Sequence, residues 1–194
     1  MTLRRATPSD WRQVGEVIGR AFAEDPVSRW TLGSAAGVRT TFTTLARHVY
    51  LPRGICLLAG NQGGTMWMPP GGSKALGLLP ELALIARLVL GGGAGVISRA
   101  LAVEKGMKGH TPTFPHYYLF TVGVLPEARG QGLGRALISE TLGQADAQRM
   151  PTYLENSNPR NTALYLGLGF KPLETFSPAP GCPVLTAMLR QPGG

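Results

Sequence analysis

Apolar residues recur at helical spacing from Trp11 through Val14, Val17, Ile18, Ala21 and Phe22, the pattern of a helix with one buried face. Ser9 or Asp10 offers its N-cap, and Glu24-Asp25-Pro26 reads as its stop. A short strand over Leu3-Arg4-Arg5 precedes it, and a second helix is expected from about Ala36 to Tyr50. The pattern then changes. ICLLA and TMWM flank NQGG, a hairpin signal, with Pro69 and Pro70 ending the second strand. The stretch 76–98, LGLLPELALIARLVLGGGAGVIS, is almost wholly apolar, but Pro80, Glu81, Arg87 and a triple glycine divide it into two segments, each too short to span a bilayer. It predicts a buried helical hairpin reaching about Lys105. HYYLFTVGVLP is strand-like, with aromatic and β-branched residues and Pro126 as its stop. Leu133, Leu137, Ile138, Thr141, Leu142 and Ala145 form a further helical stripe. PTYLEN reads as a short strand, RNTALYLGLGF as a short helix ended by glycine, and PVLTAMLR as a last strand. Strands and helices alternate without repeats, which predicts an α/β or α+β domain with a mixed sheet. The length of 194 residues suits one domain, 1–194.

Charge adds one constraint. The formal net charge is +8, carried mostly by scattered arginines rather than by a basic tract. A diffuse positive field favours an anionic ligand, and the lack of a basic run interleaved with aromatics argues against nucleic acid. Two cysteines, Cys56 and Cys182, make neither a disulfide framework nor a paired metal motif, and His48, His110 and His116 show no metal-ligand spacing. No metal is expected. MTLRRATPSDW has no apolar core behind its charges, so a cytoplasmic protein, not attached to membrane, is the expectation.

The most informative stretch is ARGQGLGRAL, 128–137, which sets glycines at 130, 132 and 134 between Arg129 and Arg135 and then turns apolar. A dinucleotide fingerprint needs a glycine at the sixth position of its loop; Arg135 or Leu137 stands there instead. A P-loop needs lysine and then Ser or Thr after its last glycine, but Arg135 and Ala136 follow Gly134. What remains is either a tight strand-to-helix turn or a pyrophosphate site made of amides at a helix start.

TVGVLPEARGQGLGRALI together with YLENSNPRNTALYLGLGF downstream resembles the acetyl-coenzyme-A motif and the following strand and helix of the GCN5-related N-acetyltransferase (GNAT) superfamily, most like puromycin N-acetyltransferase and its bacterial relatives. The resemblance covers Tyr117 to about Lys171. It implies a mixed central sheet flanked by helices, and acetyl-coenzyme A as donor. The backbone of Val122, Gly123 and Val124 would meet the pantetheine arm. Arg129, Gly130, Gln131, Gly132, Leu133, Gly134 and Arg135 would hold the pyrophosphate. Asn158 and Asn161 would hydrogen-bond the arm, although such asparagines also serve as turn and cap residues. Tyr165 corresponds to the general acid that protonates the departing thiolate; its other reading is a core tyrosine. Glu155 stands where some relatives place a catalytic glutamate, and it could equally pair with an arginine.

The resemblance thus implies direct attack by a primary amine of a small molecule. Two other readings stay open: a non-catalytic acyl-coenzyme-A sensor, and a protein N-acetyltransferase. Glu24 and Asp25 lie where relatives bind the acceptor, and Trp30, Trp67 and His116 are further candidates for that cleft, each equally at home in a core or on a surface. The compact family pattern passes from third to fourth strand by a short turn, but here a helical insertion of about 45 residues, roughly 70–115, intervenes. It is expected to roof the acceptor site or to make a dimer contact, so the chain could be a monomer or a homodimer.

Overall fold

The structure, a computed structural model, describes residues 2–193. Seven strands form one sheet in the order β1-β2-β3-β4-β5-β7-β6: β1 (Leu3–Arg5), β2 (Ile55–Ala59), β3 (Gly63–Met68), β4 (Tyr117–Val124), β5 (Thr152–Asn156), β6 (Lys171–Phe176) and β7 (Leu185–Arg190). Every pairing is antiparallel except β4 with β5. The helices are α1 (Trp11–Ala21), α2 (Pro26–Leu32), α3 (Ala35–Leu45), α4 (Leu51–Arg53), α5 (Leu78–Gly92), α6 (Gly95–His110), α7 (Leu133–Ala147) and α8 (Thr162–Leu166). A π-helical turn, Ala46–Tyr50, joins α3 to α4.

Both sheet faces are covered, so β2 and β3 are buried at every position. On one face Val14 and Ile18 of α1, Phe42 of α3 and Tyr50 pack on Met66, Tyr118 and Tyr153. On the other, Leu133, Leu137 and Ile138 of α7 and Tyr165 of α8 pack on Leu57, Trp67, Leu119 and Leu154. Arg190 fastens the end of β7 to α7 through two bonds to Asp146, at 2.6 and 2.9 Å, and donates to the Leu168 carbonyl at 2.9 Å.

Several expectations change. The insertion is a helical hairpin between β3 and β4, as the pattern predicts, but it is not buried. Only Leu88 of α5 and Val96 and Val103 of α6 are buried, while Leu78, Leu79, Leu82 and Leu90 are 54 to 88% exposed. The reason is geometric: α5 meets α3 and α6, and α6 meets α2, each along one stripe, so a helix apolar all round leaves its outer side in solvent. The first helix does end before Asp25-Pro26, at Ala21, but these two residues also start a helix that was not expected, α2. The Asp25 carboxylate caps it, accepting from Ser28 N at 2.9 Å, and Pro26 occupies the first turn, where its missing N–H costs nothing. Strand β6 carries no alternation of apolar residues and pairs only with β7, at the sheet edge.

Candidate active site

The site begins with an irregularity in β4. Met66 faces Thr121 and the next residue, Trp67, faces Leu119, so Phe120 is an extra residue, a β-bulge. Bulges bend and twist a strand. On the opposite edge of β4, pairing with β5 stops at the same level: only Tyr117↔Thr152 and Tyr118↔Tyr153 are in register. Beyond them β5 stays on β7, from Leu154↔Met188 to Asn156↔Thr186, and β4 stays on β3. The two parallel strands therefore part, and at Val122, Gly123 and Val124 the β5-side edge of β4 is unpaired.

A turn from Pro126 to Ala128 and the glycine loop lead from this strand into α7. Gly130 and Gly132 have φ of 77° and 76°, left-handed values that favour glycine, and a Cβ at either would meet nothing within 4 Å. Among the described residues, the six amides from Gly130 to Arg135 have no acceptor; the first bonded amide of α7 is that of Ala136, which donates to the Gly132 carbonyl at 3.0 Å. Consecutive free amides with the positive end of a 15-residue helix form an anion cradle, and the open faces of the two glycines admit a bulky phosphate. The residues present fit a pyrophosphate. The arginine side chains do other work. Arg129 Nε donates to the Val124 carbonyl at 3.2 Å, and Arg135 Nη1 donates to the Gly167 carbonyl at 2.8 Å, tying α7 to the end of α8. Gly134 faces inward, towards Leu164 and Val124.

Tyr165 is buried on α8, its ring edge-on to Phe170 with centroids 6.0 Å apart. Its hydroxyl has no hydrogen-bond partner among the described residues and is not sealed in the core. Burial, with the nearby Asp25 carboxylate, raises its pKa, so the phenol keeps its proton across neutral pH. Asn158 is a capping residue, its Oδ1 accepting from Arg160 N at 3.1 Å. Asn161 directly precedes α8 and makes no side-chain cap.

Glu155 lies on the same sheet face as Tyr118 and Tyr153. Both tyrosines stand beside the carboxylate, the Tyr153 hydroxyl donating to the His110 carbonyl at 3.2 Å; among the described residues Oε1 is buried without a partner. Burial raises the Glu155 pKa against the opposing pull of Tyr118 and of Lys74. The Lys74 ammonium lies 4.0 Å above the Tyr118 ring, and there burial lowers its pKa. Tyr50, delivered by the π-helical turn, stacks on the bulge residue Phe120 with centroids 4.8 Å apart.

Among the described residues no arginine pairs with Glu155; the charged group that acts on it is Lys74. Trp67 is fully buried in the core, packed with Leu57 and Leu119. His116 lines a cleft, with Met68, Lys74, Thr111, Phe114 and Tyr118, at the start of β4, and burial lowers its pKa. Sequence reasoning missed Lys74, Phe120 and Ser157. The last donates to Asp25 across 132 positions of sequence, a separation over which no local pattern operates. Among the described residues no group of His, Cys, Asp and Glu could hold a metal, and no helix is long and apolar enough to cross a membrane.

A family model described as Acetyltransferase (GNAT) family matches residues 92–170. Among curated proteins, the mycothiol acetyltransferase of Streptomyces griseus is 42% identical over 55 residues, 27% of this chain and 18% of that protein; an uncharacterized protein of Mycobacterium leprae is 38% identical over 63 residues, 32% of this chain and 17% of that protein. The chain therefore matches less than a fifth of the length of either. Among solved structures, one from Corynebacterium glutamicum, described as histone acetyltransferase HPA2 and related acetyltransferase, has a TM-score of 0.72 at 27% identity and covers 100% of this chain and 97% of its own. Mosquito arylalkylamine N-acetyltransferase like 5b has a TM-score of 0.62 at 14% identity, with 98% and 99% covered, a likeness of fold. The family match spans the glycine loop, and over its whole length the chain is similar to a solved acetyltransferase, with the fold of the GNAT acetyltransferases.

Proposed function

We propose that the protein transfers an acetyl group from acetyl-coenzyme A to a primary amine of a small molecule. The observation that carries this reading is the parting of β4 from β5 beside six unpaired amides, Gly130 to Arg135. An extended arm can pair with the free edge of β4 at Val122–Val124 while its pyrophosphate rests on the loop, a strand addition to an exposed edge. Family members generally use acetyl-coenzyme A as donor, which supplies the activated thioester.

The chain supplies the proton transfers. A protonated alkylamine, with a pKa of about 10, has no lone pair for attack. Glu155 takes that proton, directly or through water: burial raises its basicity, and Oε1 is uncommitted. Tyr165, protonated and without a hydrogen-bond partner among the described residues, donates to the thiolate as the carbon–sulfur bond breaks. After attack the nitrogen of the tetrahedral adduct is cationic and loses a second proton as the amide forms. Through solvent that proton replaces the one Tyr165 gives to sulfur, and Glu155 releases the first to solvent, so that protonated amine and thioester yield amide, thiol and one proton.

The likeness of the loop and α8 segments to puromycin N-acetyltransferases places aminonucleosides in the acceptor screen. Arylalkylamine and agmatine acetyltransferases among the similar folds add aromatic and guanidino amines. A peptide N-terminus tests the protein-modifying alternative. Thiol release is the readout, and no release with any amine, despite acetyl-coenzyme-A binding, would leave the sensor reading. Tyr165→Phe is expected to lower kcat at least tenfold with donor affinity little changed. Glu155→Gln is expected to flatten the acidic limb of the rate profile. A limb that follows the basicity of the acceptor and ignores this substitution would exclude Glu155 as base.

A further inference from the structure

Past Tyr118↔Tyr153 nothing in the sheet itself fixes how far β5 stands from β4. The corner between α1 and α2 crosses that opening. It is seated on β4 at Gly123, where a Cβ would come within 2.8 Å of the Ala21 Cβ and 3.1 Å of the Ile18 Cδ1, so a glycine is what lets α1 approach this closely. From this corner Asp25 projects, held three ways. Its N–H donates to the Phe22 carbonyl at 3.0 Å, its carbonyl accepts from Arg29 N at 2.9 Å, and its Oδ1 accepts from Ser28 N at 2.9 Å. The remaining oxygen, Oδ2, accepts a short hydrogen bond from the Ser157 hydroxyl.

Ser157 is the first residue after β5. Its neighbour Asn156 accepts from Asn158 N at 3.1 Å and donates from Nδ2 to Thr162 Oγ1 at 3.0 Å. The end of β5, the turn after it and the first residue of α8 are thereby one connected piece, and Tyr165 stands three residues further along that helix. Among the described residues, Ser157 to Asp25 is the one hydrogen bond joining the α1–α2 segment to this piece.

We infer that the Ser157–Asp25 hydrogen bond is a tie across the mouth of the gap between β4 and β5, and that it positions Tyr165 against the edge of β4. The inference rests on the reading of Tyr165 as general acid. Ser157 is a positioning residue: it acts on the rate through the place of the phenol. The proximity of Asp25 to Tyr165, enough to help raise its pKa, accords with this.

The test is a double-mutant cycle on the full chain, with kcat and the KM for acetyl-coenzyme A measured for wild type, Ser157→Ala, Tyr165→Phe and the double variant. Ser157→Ala is expected to lower kcat about tenfold, with KM moved less than about twofold, and to lower it less than about twofold when Tyr165 is already Phe. Ser157→Thr, which keeps the hydroxyl, is expected to restore most of the rate. The same loss from Ser157→Ala in both backgrounds, or no loss in either, would overturn the tie. A Tyr165→Phe variant as fast as wild type removes the acid reading and the tie with it, and that failure is told apart because it shows in a protein unchanged at Ser157. Amide hydrogen exchange over Val27–Leu32 checks the contact without turnover: faster exchange in Ser157→Ala supports the tie, and unchanged exchange overturns it.

Discussion

A carboxyl enclosed by Tyr118 and Tyr153 titrates differently in the folded and unfolded chains. Burial raises the Glu155 pKa above its usual 4.5, so its contribution to stability is fully present below that pH and is lost as pH rises through the higher folded value. Glu155→Gln, which cannot ionise, is therefore expected to be more stable than wild type at pH 8 and to lose that advantage as the pH falls towards 4.5; urea unfolding at the two pH values measures it, and equal stability at pH 8 would contradict the burial account. The glycine loop makes a separate demand. At Gly132 a side chain would face open space from a left-handed backbone that asparagine also tolerates. Gly132→Asn is expected to fold with a melting temperature close to wild type and to bind acetyl-coenzyme A at least about tenfold more weakly, because the added atoms stand where a phosphate must approach. Calorimetry checks the affinity. This loop was legible in sequence because everything that defines it lies within a few residues. Ser157 and Lys74 were not, because each gains its meaning from a partner brought near by the sheet.

Elements were legible where periodicity and punctuation agreed. The hairpin of β2 and β3, the central strand β4 and helix α7 follow their patterns closely. Strand β6 lacked alternation because its residues up to Thr175 are exposed. Helix α2 was hidden because Asp25-Pro26 serves as a start as readily as a stop. The α5–α6 hairpin shows what composition cannot say: apolar content does not reveal how much of a helix finds a neighbour. Leu88 is 5% exposed and Leu90 is 88% exposed, two positions apart on one helix. Leu88→Ala is accordingly expected to cost about 3 kcal/mol, whereas Leu90→Gln should change stability by no more than about 0.5 kcal/mol. Chemical denaturation of the two variants compares them directly, and a large loss at Leu90 would show that the outer face of α5 is covered.

Across the whole molecule, the sheet is continuous in order but uneven in attachment. Strands β1 to β4 form one antiparallel block and β5, β7 and β6 another, and between them the ladder is two residue pairs wide. Few backbone bonds hold that seam, so opening it breaks less structure than unfolding either block. The consequence concerns cooperativity. In the free protein the two blocks are expected to exchange amide hydrogens as separate units, with different denaturant dependences for β2–β3 and for β6–β7. A donor lying between β4 and β5 would hydrogen-bond to both sides and close the seam. Native-state hydrogen exchange should then show the two sets of amides converging on one opening free energy as acetyl-coenzyme A is added, so that the substrate would complete the molecule as a single folding unit.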